Sequence, residues 1–99
     1  MKYFLYKLIP PRSTFAKDMT REEKNLMDEH FAYWSNLMDR WCVIAFGPVE
    51  DSTGGYGIAI IEADNDTDIE ALGHNDPMIK AGAGFHFEIS PMPQVVLRM

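Results

Sequence analysis

The feature that most limits how this chain can fold is a helix start in its first third. Thr20-Arg21-Glu22-Glu23 has the form of a capping box, in which the Thr20 hydroxyl and the Glu23 carboxylate reciprocally satisfy free backbone N–H groups. Behind it, Leu26, Met27, His30, Tyr33, Trp34, Leu37, Met38 and Trp41 recur at spacings of three and four, which places them on one side of a helix expected to run to about Arg40. So broad an apolar stripe needs a sheet or another helix to cover it. Lys2 to Ile9, rich in aromatic and branched residues and closed by Pro10-Pro11, supplies a first strand. Both of its faces, Phe4/Tyr6/Leu8 and Tyr3/Leu5/Ile9, are largely apolar, which calls for cover on both sides.

After the helix, Cys42 to Phe46 reads as a second strand ended by Gly47-Pro48, and Asp51-Ser52-Thr53-Gly54-Gly55 as a turn into a third, Tyr56 to Ala63. A second capping box, Thr67-Asp68-Ile69-Glu70, predicts a short helix carrying Ile69 and Leu72. Asp76-Pro77 has the form of an N-cap followed by proline at the first helical position. Phe85 to Ser90 alternates as a fourth strand, with His86, Glu88 and Ser90 on its polar face. The order βαββαβ is that of a ferredoxin-like α+β sandwich, in which two helices cover one face of a four-stranded antiparallel sheet. The other face, with small residues such as Ala45, Gly57 and Ala59, then needs a different cover, and the economical one is a second copy of the chain.

Composition narrows the partners. At 99 residues the chain holds one domain, residues 1–99, and a chain so short buries a limited share of its surface, which again favours a homodimer. Hydrophobic residues at 46% and charged residues at 24% are those of a globular domain and exclude a disordered chain. Nine Lys and Arg against fifteen Asp and Glu give a net charge of −6, and the basic residues are scattered, so nucleic acid is not an expected partner. The single cysteine, Cys42, offers neither an internal disulfide nor a Cys-x-x-Cys zinc pattern, which fits a reducing cytoplasm. Met1 to Ile9 is interrupted by Lys7 and stopped by Pro10-Pro11, so neither a signal peptide nor a membrane span is expected there. His30, His74 and His86 lack metal-ligand spacing, and no P-loop or Gly-x-Gly-x-x-Gly is present, so no metal and no nucleotide cofactor is expected.

His30 is the leading candidate for chemistry. An imidazole amid an apolar stripe must find a hydrogen-bond partner, and its ordinary pKa near 6.5 suits proton transfer at neutrality. Without further information a satisfied structural histidine is the commoner reading. Asp51 is a natural partner, since a carboxylate accepting the imidazole N–H fixes the tautomer and steadies the imidazolium; aspartate ahead of Ser-Thr-Gly-Gly is also ordinary hairpin chemistry. Asp76 can take that role instead, although helix capping already explains it, and two carboxylate oxygens allow both. Arg12 could bind an acidic group on a substrate or form a surface ion pair. Tyr6, Tyr33 and Trp34 could line an aromatic-compatible pocket or simply be core, and His86 could face a cavity between subunits.

Taken in order, His30 with Tyr33-Trp34, Gly47-Pro48-Val49-Glu50-Asp51, Gly55-Tyr56-Gly57, Asp76-Pro77 and Pro91-Met92, with the Asp18-Met19-Thr20 lead-in, resemble the YciI-like (YCII-related) family over nearly the whole chain. The resemblance implies a ferredoxin-like fold of the dimeric α/β-barrel group and an active site centred on a histidine and an aspartate. It favours a catalytic reading of His30. One characterised type of relative is a dehydrochlorinase acting on a chlorinated hydroxyquinol. The expectation is therefore a cofactor-independent enzyme with His30 and Asp51 catalytic, and with Arg12, Tyr33, Trp34, Asp76 and His86 around a small aromatic or lactone-like substrate. The alternative is a ligand-binding or structural dimer of the same fold. Trp41-Cys42 departs from the glycine and the basic or small residue common at that turn in relatives.

Overall fold

A computed structural model describes residues 1–40 and 42–98. Trp41, and with it half of the unusual Trp41-Cys42 turn, lies outside the described residues. The elements are β1 (Lys2–Ile9), α1 (Phe15–Asp18), α2 (Arg21–Asp39), β2 (Val43–Asp51), β3 (Gly54–Ala63), α3 (Ile69–His74), α4 (Pro77–Lys80) and β4 (His86–Met92). The four strands form one antiparallel sheet in the order β2-β3-β1-β4. This is the expected α+β, ferredoxin-like arrangement, with α1 as an additional turn of helix in the loop after β1.

The Thr20 capping box forms as its residues require. Its hydroxyl accepts the Glu23 amide at 3.1 Å, and Glu23 accepts the Thr20 amide at 2.9 Å. The second box does not form. Asp68 caps α3 by accepting the Ala71 amide at 3.1 Å, while the Thr67 hydroxyl turns back to Asp64 at 2.8 Å. Asp competes well with Thr as an N-cap, so a one-residue shift of the start is chemically cheap.

Gly47-Pro48 does not end β2, which continues to Asp51 with Pro48 opposite Gly57. β2 is an edge strand, and there a residue without an N–H leaves no neighbour unpaired. Asp51 faces Gly54 across a tight Ser52-Thr53 turn. Gly54 has φ +130°, and a Cβ at that position would stand 2.7 Å from the Ser13 carbonyl oxygen, so the turn needs glycine.

One face of the sheet meets the helices. Tyr6, Leu8, Val43, Ala59 and Ile61 from the strands pack with Trp34 and Leu37 of α2, Phe15 of α1 and Met78 of α4. Met38, assigned to the apolar stripe by spacing, is instead exposed. Register also corrects the placing of two small residues: Gly57 lies beside Leu8 and Ala59 beside Tyr6, so both belong to the helix-covered face. The opposite face carries the Leu5–Ile60 and Lys7–Ile58 pairs, all half-buried, with exposed Ala45 next to Ile60. Gly73 of α3 is buried against the Phe87 ring, where a Cβ would come within 2.4 Å of a ring carbon. That close approach brings the chain leading to Asp76 down onto the sheet.

Candidate functional site

The site is assembled from three elements distant in sequence. His30 and Trp34 lie four residues apart in α2 and so share a face of the helix. Tyr6 rises from β1, the second strand in from one edge of the sheet. Asp76 is the N-cap of α4, its backbone extended and its Oδ1 accepting the Met78 amide at 3.0 Å.

All of them meet at the Asp76 carboxylate, which is completely buried. His30 Nδ1 lies 2.9 Å from Oδ1 and 3.0 Å from Oδ2. The Tyr6 hydroxyl and the Trp34 indole N–H each donate to Oδ2 at 2.9 Å. Among the described residues no buried side-chain nitrogen or oxygen lacks a partner, as a stable buried polar cluster requires. An ionised carboxylate only accepts, so the network assigns a proton to His30 Nδ1 and leaves Nε2 as the ring atom available to another molecule.

Burial by itself pushes the Asp76 carboxyl up; hydrogen bonds and charge from His30, then Trp34 and the Met78 amide, outweigh it and hold the group below the usual carboxylate range. The Tyr6 phenol is driven far above its ordinary range, first by burial and then by the neighbouring Asp76 charge. Tyr33 is pushed up to about 12 by the same two causes.

A cavity of about 10 Å³ lies beside His30, bounded by Tyr6, Leu8, Phe46, Gly57 and Ala59. It is the size of a single water. Gly57 and Ala59 leave this space because they place almost no side chain on the covered face. Phe31, next to His30 and largely exposed at 63%, stands edge-on to Phe46 with ring centroids 5.4 Å apart. A wider groove of about 480 Å³, lined by Met38, Val43, Ile44 and Leu97, contains none of the His30 cluster.

The other expected site residues sit elsewhere or do other work. Asp51 is exposed and accepts from the Thr53 amide at 2.8 Å and the Thr53 hydroxyl at 2.7 Å. The expected His30–Asp51 pair is therefore corrected to His30–Asp76, because the hairpin ends in solvent while α4 starts beneath α2. Arg12 is committed to its own chain: Nε pairs with Asp18 at 2.7 Å, and the two terminal nitrogens grip Glu23 at 2.9 and 2.7 Å. Tyr33 donates to the Leu72 carbonyl at 2.7 Å. Trp34 is buried and serves the site through its N–H. His86 is exposed in β4 opposite Ile9, on the sheet face away from the helices, so it does not join His30. Phe46 and Gly57 were not singled out as pocket residues; the small-residue alternation at 57 and 59 was the available signal.

Among the described residues no group of three or more His, Cys, Asp or Glu side chains is placed to hold a metal ion, and no helix is long and apolar enough to cross a membrane. No curated protein sequence matches the chain. A solved structure of a formyltetrahydrofolate deformylase from Pseudomonas putida KT2440 is similar at a TM-score of 0.44 and 14% identity, over 91% of this chain and 28% of that one. The chain thus spans less than a third of that protein. The YCII-related domain profile matches residues 1–93, and the chain belongs to that family.

Proposed function

We propose that the chain is a small cofactor-independent acid–base catalyst, with His30 exchanging a proton through Nε2 and Asp76 orienting it through Nδ1. The observation that carries this reading is the pairing itself: a fully buried carboxylate holds one ring nitrogen of a histidine whose side chain keeps 13% of its surface exposed. A carboxylate in that position fixes the tautomer and steadies the imidazolium that forms when the base takes a proton. Such a pair suits elimination or isomerisation of a compact aromatic or lactone-like substrate. General acid–base catalysis of this kind supplies roughly 10²–10⁴-fold, so positioning must supply the rest.

A second copy of the chain completes this proposal. Leu5, Ile58 and Ile60 form a half-buried apolar patch on a face that also carries Lys7, Glu88 and Ser90, and covering it in a two-fold dimer would remove that patch from water. Elution as a monomer at micromolar concentration would remove the dimer from the proposal. The alternative is a ligand-binding or structural dimer of the same fold, and a volume of one water beside His30 favours its structural form.

The test is histidine ¹⁵N NMR of the whole chain titrated with phenol, catechol, acetate and benzoate. At least one probe is expected to move the His30 Nε2 resonance, assigned by its loss in His30→Gln. No response of that resonance to any probe would overturn the reading.

A further inference from the structure

Asp76 raises a question that the acid–base reading leaves open. A carboxylate with no exposed surface ordinarily needs a counter-charge, and His30 is the nearest group able to provide one. Were His30 required as a cation for that reason, Nε2 would stay protonated and could not act as a base. His30 is the largest influence holding Asp76 ionised, and the uncharged donors Trp34 and the Met78 amide act in the same direction.

We propose that Tyr6 and Trp34 are positioning residues for His30: two uncharged donors that converge on Oδ2 of Asp76 and, with the Met78 amide on Oδ1, keep that carboxylate ionised while His30 beside it is neutral, Nδ1 protonated and Nε2 bare. The inference rests on the acid–base reading for its use and on geometry for its support. Tyr6 and Trp34 reach the same oxygen, each at 2.9 Å, and Met78 reaches the other at 3.0 Å. With His30 spanning both oxygens, the acceptor sites of the carboxylate are filled.

The donors also decide where a proton can sit. The indole N–H and the backbone amide donate only, so a proton added to Asp76 would face groups that cannot accept it. Besides His30, Tyr6 is the partner able to reverse its bond. It stays a donor because burial, and then the Asp76 charge, hold its phenol protonated. Its ring is fixed between Trp34, with centroids at 4.7 Å, and Phe87 at 5.5 Å. Among the described residues three titratable groups lie near Asp76: Tyr6 from β1 and His30 and Tyr33 from α2, with the Tyr33 hydroxyl donating to the Leu72 carbonyl.

The experiment compares the His30 ¹⁵N spectrum between pH 5 and pH 8 in the parent, in Tyr6→Phe, and in protein grown on 3-fluorotyrosine. In the parent at pH 8, Nδ1 is expected to be protonated and Nε2 bare. Tyr6→Phe keeps the ring and removes one donor, so Asp76 draws a proton into the pair. Whether the pair becomes carboxylate and imidazolium or carboxylic acid and imidazole, Nε2 gains protonation. Fluorination makes the phenol a stronger donor, so at the acid end of the series Nε2 should be less protonated than in the parent; it falls on all four tyrosines, of which Tyr6 donates to Asp76 while Tyr33 donates to the Leu72 carbonyl. Trp34→Phe should act in the direction of Tyr6→Phe.

A protonated Nε2 in the parent at pH 8 would overturn the proposal, as would an Nε2 resonance indifferent to both the Tyr6→Phe and fluorotyrosine changes. Should Tyr6→Phe fail to fold, the fluorotyrosine protein decides alone. A parent Nε2 that responds to phenol or benzoate yet ignores the Tyr6 changes would leave the acid–base reading standing and this one rejected. The reverse pattern would reject the acid–base reading and keep this one.

Discussion

Asp51 and Asp76 do the same local job in different surroundings. Each side chain accepts the backbone amide two residues ahead, Asp51 from Thr53 at 2.8 Å and Asp76 from Met78 at 3.0 Å. Around Asp51 the remaining partner is the Thr53 hydroxyl and then water, at the tip of a hairpin led in by an edge strand. Around Asp76 there is no water-exposed surface, and three side chains from β1 and α2 close on it. A turn aspartate becomes a site residue when the fold brings donors to the oxygen that the turn leaves free.

The largest effect should come from deleting each carboxylate. Asp76→Ala strands the Tyr6 hydroxyl, the Trp34 indole and the His30 ring with no acceptor. Each buried donor left unsatisfied costs about 1–3 kcal/mol, so with Tyr6 and Trp34 both stranded a domain of this size should lose about 10 °C or more in Tm. Asp51→Ala loses a solvated turn contact, and its Tm should stay close to the parent. Thermal unfolding followed by circular dichroism compares them, and a parent-like Tm for Asp76→Ala would break the contrast.

Acid sensitivity is the smaller effect, and both carboxylates should contribute to it. Burial raises the Asp76 carboxyl, yet its donors bring it below the usual range; Asp51 is lowered by the Thr53 hydroxyl and then the Thr53 amide. A carboxyl depressed in the folded state contributes stability that is fully present above the unfolded value, about 4, and is lost as pH falls through the folded value. Glu23, held at about 2 by Arg12 and the Thr20 amide, shares that acid limb in every variant. Urea unfolding between pH 5 and pH 2 should therefore flatten, relative to the parent, in Asp76→Asn and in Asp51→Asn alike. A parent-like slope in Asp76→Asn would show that burial cancels the donors at Asp76.

Much of the fold was legible because its signals are local. The Thr20 capping box, the β1 boundaries and the Asp76-Pro77 helix start each depend on residues within a few positions of one another, and each forms as expected. The errors arise where tertiary position decides. Pro48 is compatible with β2 only because β2 lies at the sheet edge, and Gly57 belongs to the covered face because of its register with Leu8. At the site, His30 was legible as a polar group in an apolar stripe, but its partner lies 46 residues away. Asp76 was open as an alternative partner, but helix capping already explained it, and Asp51, with equally ordinary turn chemistry, stood ahead of it; only tertiary position separates the two.

The smallest effect isolates Asp51 from the rest. Thr53→Val removes the hydroxyl that is the first cause of the low Asp51 carboxyl and leaves the Thr53 backbone amide in place. The folded Asp51 value should then rise toward the ordinary carboxylate range, read by carboxyl ¹³C titration, and the hairpin should lose part of its acid-limb stabilisation at a correspondingly higher pH. The His30 ¹⁵N resonances should not move, because both carboxylate contacts of that ring are with Asp76. Movement of His30 in Thr53→Val would mean that the two aspartates share a field, and the hairpin would have to be counted as part of the site.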